Sequence, residues 1–282
     1  MKISYYNGQF KNDDEITVDY NDRAFYFGDG VYEVVRVYNN EFFTLDEHMD
    51  RLVRSASEIG IEGLDRARMV EIVTELNEKN NIDDGSVYIQ VSRGIGKRNH
   101  AYLANKKPVV LAYMNEISRP TAQMEEGISV ITADDYRWLK CHVKSLNLLA
   151  NVMEKERAIR AGAHETILNR EGIVTEGSST NVFIVKDGVL RTHPANNMIL
   201  NGITRLEVLK VARDRKIPYE EKAFTVGDLM NAEEVFITST TQEVTPVTEV
   251  DGEVVGDGSK GRITHAIQEG FDEEIHKLNL VK

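Results

Sequence analysis

A lone lysine stands at the head of an apolar run in CHVKSLNLLANV, residues 141–152. The amine of Lys144 attacks carbonyls only when neutral, and partial burial depresses a lysine pKa by disfavouring the ammonium form. Lysines near helix starts ordinarily face solvent, so the position alone leaves two readings, a wet surface residue or a reagent. Cys141 and His142 precede it, but neighbouring side chains diverge and make a poor nucleophile and base pair. Some thirty residues on, IVTEGSSTNVF (173–183) carries Glu176 and Gly177 into three hydroxyl residues. Such a glycine lets a backbone and a carboxylate approach a ligand closely, although TEGSS by itself is a turn with one carboxylate. In QVSRGIGKRNHAYL (90–103), Arg98 and His100 stand two apart, so in an extended loop both side chains point to the same side. A guanidinium fork plus a second donor suits a carboxylate; the other reading is a solvated basic loop on an acidic protein. Tyr32, in FGDGVYEVV (27–35), offers a further hydroxyl.

The elements that must position these residues follow from periodicity. Residues 31–38 are β-branched and aromatic, and with Asn39-Asn40 and EFFTL they predict a hairpin. Asp46 is expected to cap a helix whose apolar positions Met49, Leu52, Ala56 and Ile59 run until Gly60. A second helix passes through Met69, Val73 and Leu76, and strands are expected at 86–94 and 108–116. Proline and polar residues at 118–121 mark a boundary. Beyond it come a strand at 128–133, a helix after Lys144, a strand at 166–169, and a hairpin at 181–193 turning on Asp187-Gly188. A helix from about Thr204 to Arg215 carries Leu206, Leu209 and Val208 or Ala212 inward. A strand at 234–240, a second Asp-Gly hairpin at 251–252 and a helix near 261–278 close the chain.

Composition sets the outer bounds. The 282 residues suit two domains sharing a cleft, and 41% hydrophobic with 28% charged residues is ordinary for a soluble globular protein. A net charge of -12 argues against nucleic-acid or anionic-membrane partners, which demand concentrated basic surface. The single cysteine, Cys141, rules out an intrachain disulfide. The opening MKISYYNGQF lacks the apolar core of a signal peptide, and no run approaches the ~18 apolar residues of a membrane span. A cytoplasmic protein is the expectation, with no metal site.

Lys144, the TEGSSTNVF segment, NNMILNGITR (196–205) and FITSTTQEVTP (236–246) together resemble the fold-type IV aminotransferases that use pyridoxal 5′-phosphate, over nearly the whole chain. The resemblance implies an α+β architecture with a smaller N-terminal α/β domain (1–118) on the substrate side. A larger cofactor-binding domain (119–282) with a β-barrel-like core follows it. It makes Lys144 the Schiff-base lysine and the proton carrier between substrate Cα and cofactor C4′. Glu176 matches the carboxylate that keeps a proton on the pyridine nitrogen, so lysine and acid grip opposite ends of one ring.

Arg51, in EHMDRL (47–52), matches the arginine that the family directs at the phosphate; without that likeness it is an ordinary arginine on an amphipathic helix. NGIT (201–204) precedes a predicted helix, so the N–H groups of Ile203 and Thr204 would face an anion, with the Thr204 hydroxyl as a further donor. Ser239 and Thr240 would complete the phosphate cup, and Leu200 would pack on the ring face.

Within the family, FGDGVYEVV, the Arg98-x-His100 spacing, SLNLL and THPANNMIL (192–200) look like the bacterial D-amino-acid branch. With a carboxylate anchored by Arg98, His100 and Tyr32 while Cα–H faces Lys144, exchanging hydrogen and side chain demands the mirror-image substrate. The implied activity is a ping-pong exchange between D-amino acids, D-alanine foremost, and 2-oxo acids, in a homodimer. A branched-chain L-aminotransferase, an aminodeoxychorismate lyase and a non-catalytic cofactor-binding protein are the alternatives.

Overall fold

The computed structural model describes residues 2–102 and 107–278, so Leu103, which ends the 90–103 motif, lies outside the described residues. Two compact units divide the chain. One comprises Met1–Ser118 with Val143–Asn147, the other Arg119–His142 with Leu148–Lys282.

The first unit runs β1 (Ile3–Tyr6), β2 (Gln9–Asn12), α1 (Arg23–Phe27), β3 (Gly30–Tyr38), β4 (Glu41–Phe42), α2 (Leu45–Glu58), α3 (Arg66–Asn80), β5 (Gly85–Ser92) and β6 (Val109–Glu116). Its sheet has the order β2-β1-β6-β5-β3-β4, antiparallel throughout. Strand alternation sends Val31, Val35, Val37, Val87, Ile89 and Val91 to one face, where they bury against Met49 and Leu52 of α2 and Ile72, Val73 and Leu76 of α3. The opposite face carries a row of tyrosines. Tyr32 stacks on Tyr88 at 5.6 Å and Tyr88 on Tyr113 at 5.0 Å between ring centroids. The hairpin expected around Asn39-Asn40 forms, both asparagines taking the positive φ that its turn requires.

Val143–Asn147 lies along β3. The Tyr32 N–H donates to the Lys144 carbonyl at 3.0 Å, the Leu146 N–H to that of Gly30 at 2.9 Å, and Ser145 bridges Val31. Lys144 sits at the centre of a tight turn, with the Ser145 N–H donating to the Val143 carbonyl at 2.9 Å, and the helix expected just after it begins only at Leu149.

The second unit runs α4 (Thr121–Glu126), β7 (Ile128–Asp134), α5 (Leu149–Arg160), β8 (Glu165–Arg170), β9 (Ile173–Gly177), β10 (Asn181–Lys186), β11 (Val189–Thr192), α6 (Ile203–Asp214), β12 (Tyr219–Glu221), α7 (Val226–Met230), β13 (Glu234–Ser239), β14 (Glu243–Val250), β15 (Glu253–Val254) and α8 (Arg262–Lys277). Its nine-stranded mixed sheet follows β12-β11-β10-β13-β14-β7-β8-β9, with β15 on β14. The sheet curls into a half-barrel, bringing its end strand β9 back against β10. Inside the curl lie Val130, Ile167, Val174, Val182, Ile184, Val235, Ile237 and Val247. On the other face Phe183 and Phe236, both fully buried, stack with centroids 4.8 Å apart.

Two local expectations are corrected. Asp46 is not the cap of α2: Thr44 holds that position, and Asp46 sits in the first turn, where it accepts from Arg66. Leu206 points outward, 40% exposed, while Val208, Leu209 and Ala212 are buried, because α6 offers the sheet the face defined by 208, 209 and 212. The β1–β2 hairpin, α1, α4, α7 and β12 are additional elements.

The Phe183–Phe236 stack gives a test of the larger unit. Phe236→Ala should cost about 3–5 kcal/mol through lost burial and a residual cavity, read as a lowered urea midpoint with unchanged slope.

Candidate active site

Glu176 is the penultimate residue of β9 and is buried. Arg137 Nη1 donates to its Oε1 at 2.7 Å, while Oε2 accepts from the Leu200 N–H at 2.9 Å and from Asn181 Nδ2 at 3.2 Å. A carboxylate offers about four acceptor sites, so three are used and one remains on Oε1. Burial pushes the Glu176 carboxyl up to about 7 against the pull of Arg137. The same guanidinium serves a second buried acid, since Arg137 Nε and Nη2 donate to Asp135 at 2.9 Å. Asp135 is held below the ordinary range: burial opposes its charge, and the bonds from Arg137 outweigh burial. Arg170 Nε and the Thr175 hydroxyl also donate to Asp135.

The residues after Glu176 turn tightly. A Cβ on Gly177 would lie 2.0 Å from Thr180 Oγ1 and 3.3 Å from the Glu165 carboxyl, so the glycine is required by the chain's own turn. Glu165, fully buried, accepts from the N–H and hydroxyl groups of Ser178 and Ser179 and from the Thr180 hydroxyl.

Gly202 precedes α6, and Ile203 and Thr204, both buried, form its first turn. Among the described residues no side chain caps this helix, and no acidic residue occupies its first turn, so the positive end of the dipole faces no anion of its own turn. A Cβ on Gly202 would meet Asn181 Oδ1 at 2.2 Å, which fixes glycine there. Leu200 is half-buried and is held through its backbone, its carbonyl accepting from Asn181 Nδ2 at 2.8 Å. Ser239 ends β13 half-buried, its hydroxyl accepting from the Gln242 N–H at 3.1 Å, with Thr240 beside it in the turn.

In the first unit Lys144 is half-buried, with Nζ 4.0 Å from the Tyr32 ring centroid, so expected amine and expected substrate hydroxyl are neighbours. Its backbone N–H points at Ser55 Oγ, 3.4 Å away. Arg51 has a buried acid as its partner. It is buried, and its Nε and Nη2 form a fork on Glu33 at 2.7 and 2.8 Å, while His48 Nδ1 lies 2.7 Å from the same carboxylate. A fully buried glutamate on β3 needs such a partner. Burial disfavours the Glu33 charge, but Arg51 and His48 together hold its carboxyl well below the usual range.

Arg98 and His100 are exposed, and both meet one aromatic ring: Arg98 Cζ lies 5.1 Å and the His100 ring 5.5 Å from the centroid of Phe27. The same-side expectation for these two is met. The Cys141 thiol donates to the Trp138 carbonyl at 3.1 Å, and burial pushes it up to about 11, a poor nucleophile.

Arg137, Asp135, Asn181, Glu33 and His48 are not indicated by the sequence reasoning above. Asp135 and Arg137, two apart in DDYRWL (134–139) just ahead of Lys144, are the one signal that points to them. Among the described residues no group of three or more His, Cys, Asp or Glu side chains is placed to hold a metal ion, and no helix is long and apolar enough to cross a membrane.

Comparison with known proteins places this geometry. The family profile Amino-transferase class IV matches residues 30–250. The D-alanine aminotransferase of Staphylococcus aureus strain COL is 47% identical over 282 residues, covering 99% of this chain and 100% of its own. The branched-chain amino acid aminotransferase of Escherichia coli superposes with a TM-score of 0.91 at 28% identity, over 96% of this chain and 94% of its own. The branched-chain aminotransferase of the thermophilic archaeon Thermoproteus uzoniensis, solved with norvaline, gives 0.88 at 28% identity, over 98% and 95%. The buried acid on β9, the half-buried lysine beside Tyr32 and the open α6 terminus thus occur in a chain that belongs to the class IV aminotransferases and has their fold-type IV architecture.

Proposed function

We propose that this enzyme exchanges amino groups between D-amino acids and 2-oxo acids by a ping-pong mechanism, with D-alanine as donor and 2-oxoglutarate as acceptor. The observation that carries the choice of branch is the meeting of Arg98 and His100 on Phe27, which aims a guanidinium and an imidazole at one place. Full-length identity of 47% to a D-alanine aminotransferase supports the same branch, whereas the likeness to branched-chain enzymes is a shared fold at 28%.

The residues fit pyridoxal 5′-phosphate. Glu176 keeps one acceptor site on Oε1 for the N–H of a heterocycle, with Arg137, Asn181 and the Leu200 N–H fixing its direction. The first turn of α6, with Thr204, and the Ser239–Thr240 turn offer donors to a phosphate. Arg51, oriented by Glu33 through Nε and Nη2, would contribute its positive charge and its remaining N–H donors. When bound, the cofactor supplies an aldehyde that takes an amine and a ring that accepts the electron pair left as the Cα proton departs.

The chain's own residues do the rest. Arg98, His100 and Tyr32 hold the substrate carboxylate and orient Cα. Lys144 Nζ then removes the Cα proton on the face that a D-enantiomer presents. Residues 1–118 are assigned to the substrate side and 119–282 to the cofactor, with Lys144 carried by the segment packed in the first unit. A homodimer in the cytoplasm is part of this reading. The exposed apolar stripe Leu149, Val152, Met153 and Ile159 on α5, with Trp138 and Leu139 nearby in sequence, supports a second copy covering that helix.

Offered D-alanine or L-leucine with 2-oxoglutarate, the enzyme should form pyruvate from the first far faster than 4-methyl-2-oxopentanoate from the second; failure with every D-amino acid would end the substrate assignment. Borohydride should fix the cofactor chromophore to the wild-type protein and not to Lys144→Ala, and fixation in the variant would mean that another lysine is the anchor. Glu176→Gln should lower turnover by about 10²-fold or more, the scale of losing one preorganised electrostatic partner, as measured in single-turnover kinetics.

A further inference from the structure

Arg98 and His100 stand on a loop that has no strand partner over residues 97–101 and is exposed there. Two donors on such a loop recognise a carboxylate only if something holds the backbone between them. We infer that Arg23, together with Phe27, is the positioning device of this loop and sets its affinity for substrate carboxylates. The inference rests on the reading of Arg98 and His100 as the carboxylate-binding pair.

Arg23 is buried at the start of α1, 3% exposed. Its Nη1 donates to the carbonyls of Asn99 at 2.5 Å and Ala101 at 3.3 Å, the two that flank His100. Its Nε donates to Asp29 at 2.7 Å. Asp29 also accepts from Arg93 Nε at 2.8 and 3.0 Å, and Arg93 spends its remaining nitrogens on the carbonyls of Gly60 (2.8 Å) and Ile59 (2.6 Å). Burial works against the Asp29 charge, but the two arginines hold it below the ordinary range. Tyr102 packs on the same cluster, its ring 3.5 Å from Arg93 Cζ and its hydroxyl donating to Ile59 O at 3.3 Å. The loop is thus clasped at residues 93, 99, 101 and 102 by one ionic cluster.

Phe27 completes the device from the same short helix. Arg23 Cζ lies 4.8 Å from its centroid, and Arg98 and His100 rest on the same ring. Arg23 therefore grips the backbone on either side of His100 while the ring one turn further on carries both side chains. A lysine cannot replace it, because one ammonium on a flexible stem cannot serve a carboxylate and two carbonyls in fixed directions.

The test uses the holoenzyme with Arg23→Lys, Phe27→Leu and Arg98→Ala. For each, KM and kcat for D-alanine and 2-oxoglutarate are measured, with the Kd of propionate, a non-reacting carboxylate, read from the cofactor absorbance. Arg23→Lys and Phe27→Leu should each raise both KM values about 10-fold and weaken propionate in step, with kcat changed less than about 3-fold. Should Arg98→Ala weaken propionate while neither other variant does, the positioning role is overturned. Should Arg98→Ala leave propionate unchanged, the carboxylate-pair reading falls, and this inference with it. If Arg23→Lys does not fold, Phe27→Leu decides alone, since it leaves the ionic cluster intact.

Discussion

Keeping a carboxylate charged where water has been removed is the constraint on which this structure turns. Each buried acid loses several kcal/mol of hydration, recovered only by close and well-aligned partners. Glu33 meets the cost in full, and the half-buried Asp29 is held in the same way. Glu33 has an arginine fork and a histidine to itself, and Asp29 has two arginines. Both sit below the usual carboxylate range. Glu176 is treated differently. Its one cation, Arg137, is shared with Asp135, whose own charge opposes that of Glu176, and burial then carries the Glu176 carboxyl up to about 7. Two acids are thus locked by arginines, and Glu176 is the one left near neutrality, as carboxylates at functional sites often are.

That distinction explains what can be read from the sequence. Strands and helices whose side chains alternate with a clean period are legible, as are the turns at Asn39-Asn40 and Asp187-Gly188, because their chemistry is local. Lys144 and Glu176 stand out because their segments match a known family pattern. The partners of Glu176 do not, since Arg137 lies 39 residues away and meets it only because β7 and β9 flank β8 in the sheet. For the same reason nothing in EHMDRL announces that Arg51 meets a buried glutamate 18 residues upstream. Leu206 is misplaced by its sequence because α6 has apolar residues on more than one face, and burial is decided by the sheet it packs on.

The commitment of Arg51 to Glu33 changes how an anion can be held. A guanidinium whose Nε and Nη2 grip one carboxylate keeps further N–H donors on Nη1 and Nη2, so Glu33 fixes the direction in which Arg51 can present them. The first turn of α6 offers a second set of donors. Twelve residues of helix begin on N–H groups without a side-chain cap, no carboxylate competes in that turn, and the Thr204 side chain is buried at the same point. Gly202 is confined to glycine by Asn181, and Asn181 also bonds Glu176 and the Leu200 carbonyl. One asparagine therefore ties the position of the helix terminus to that of the buried acid. On the proposed reading these two groups meet one rigid molecule, and the residue between them holds them in register, so that folding would already fix the geometry that binding would otherwise have to create.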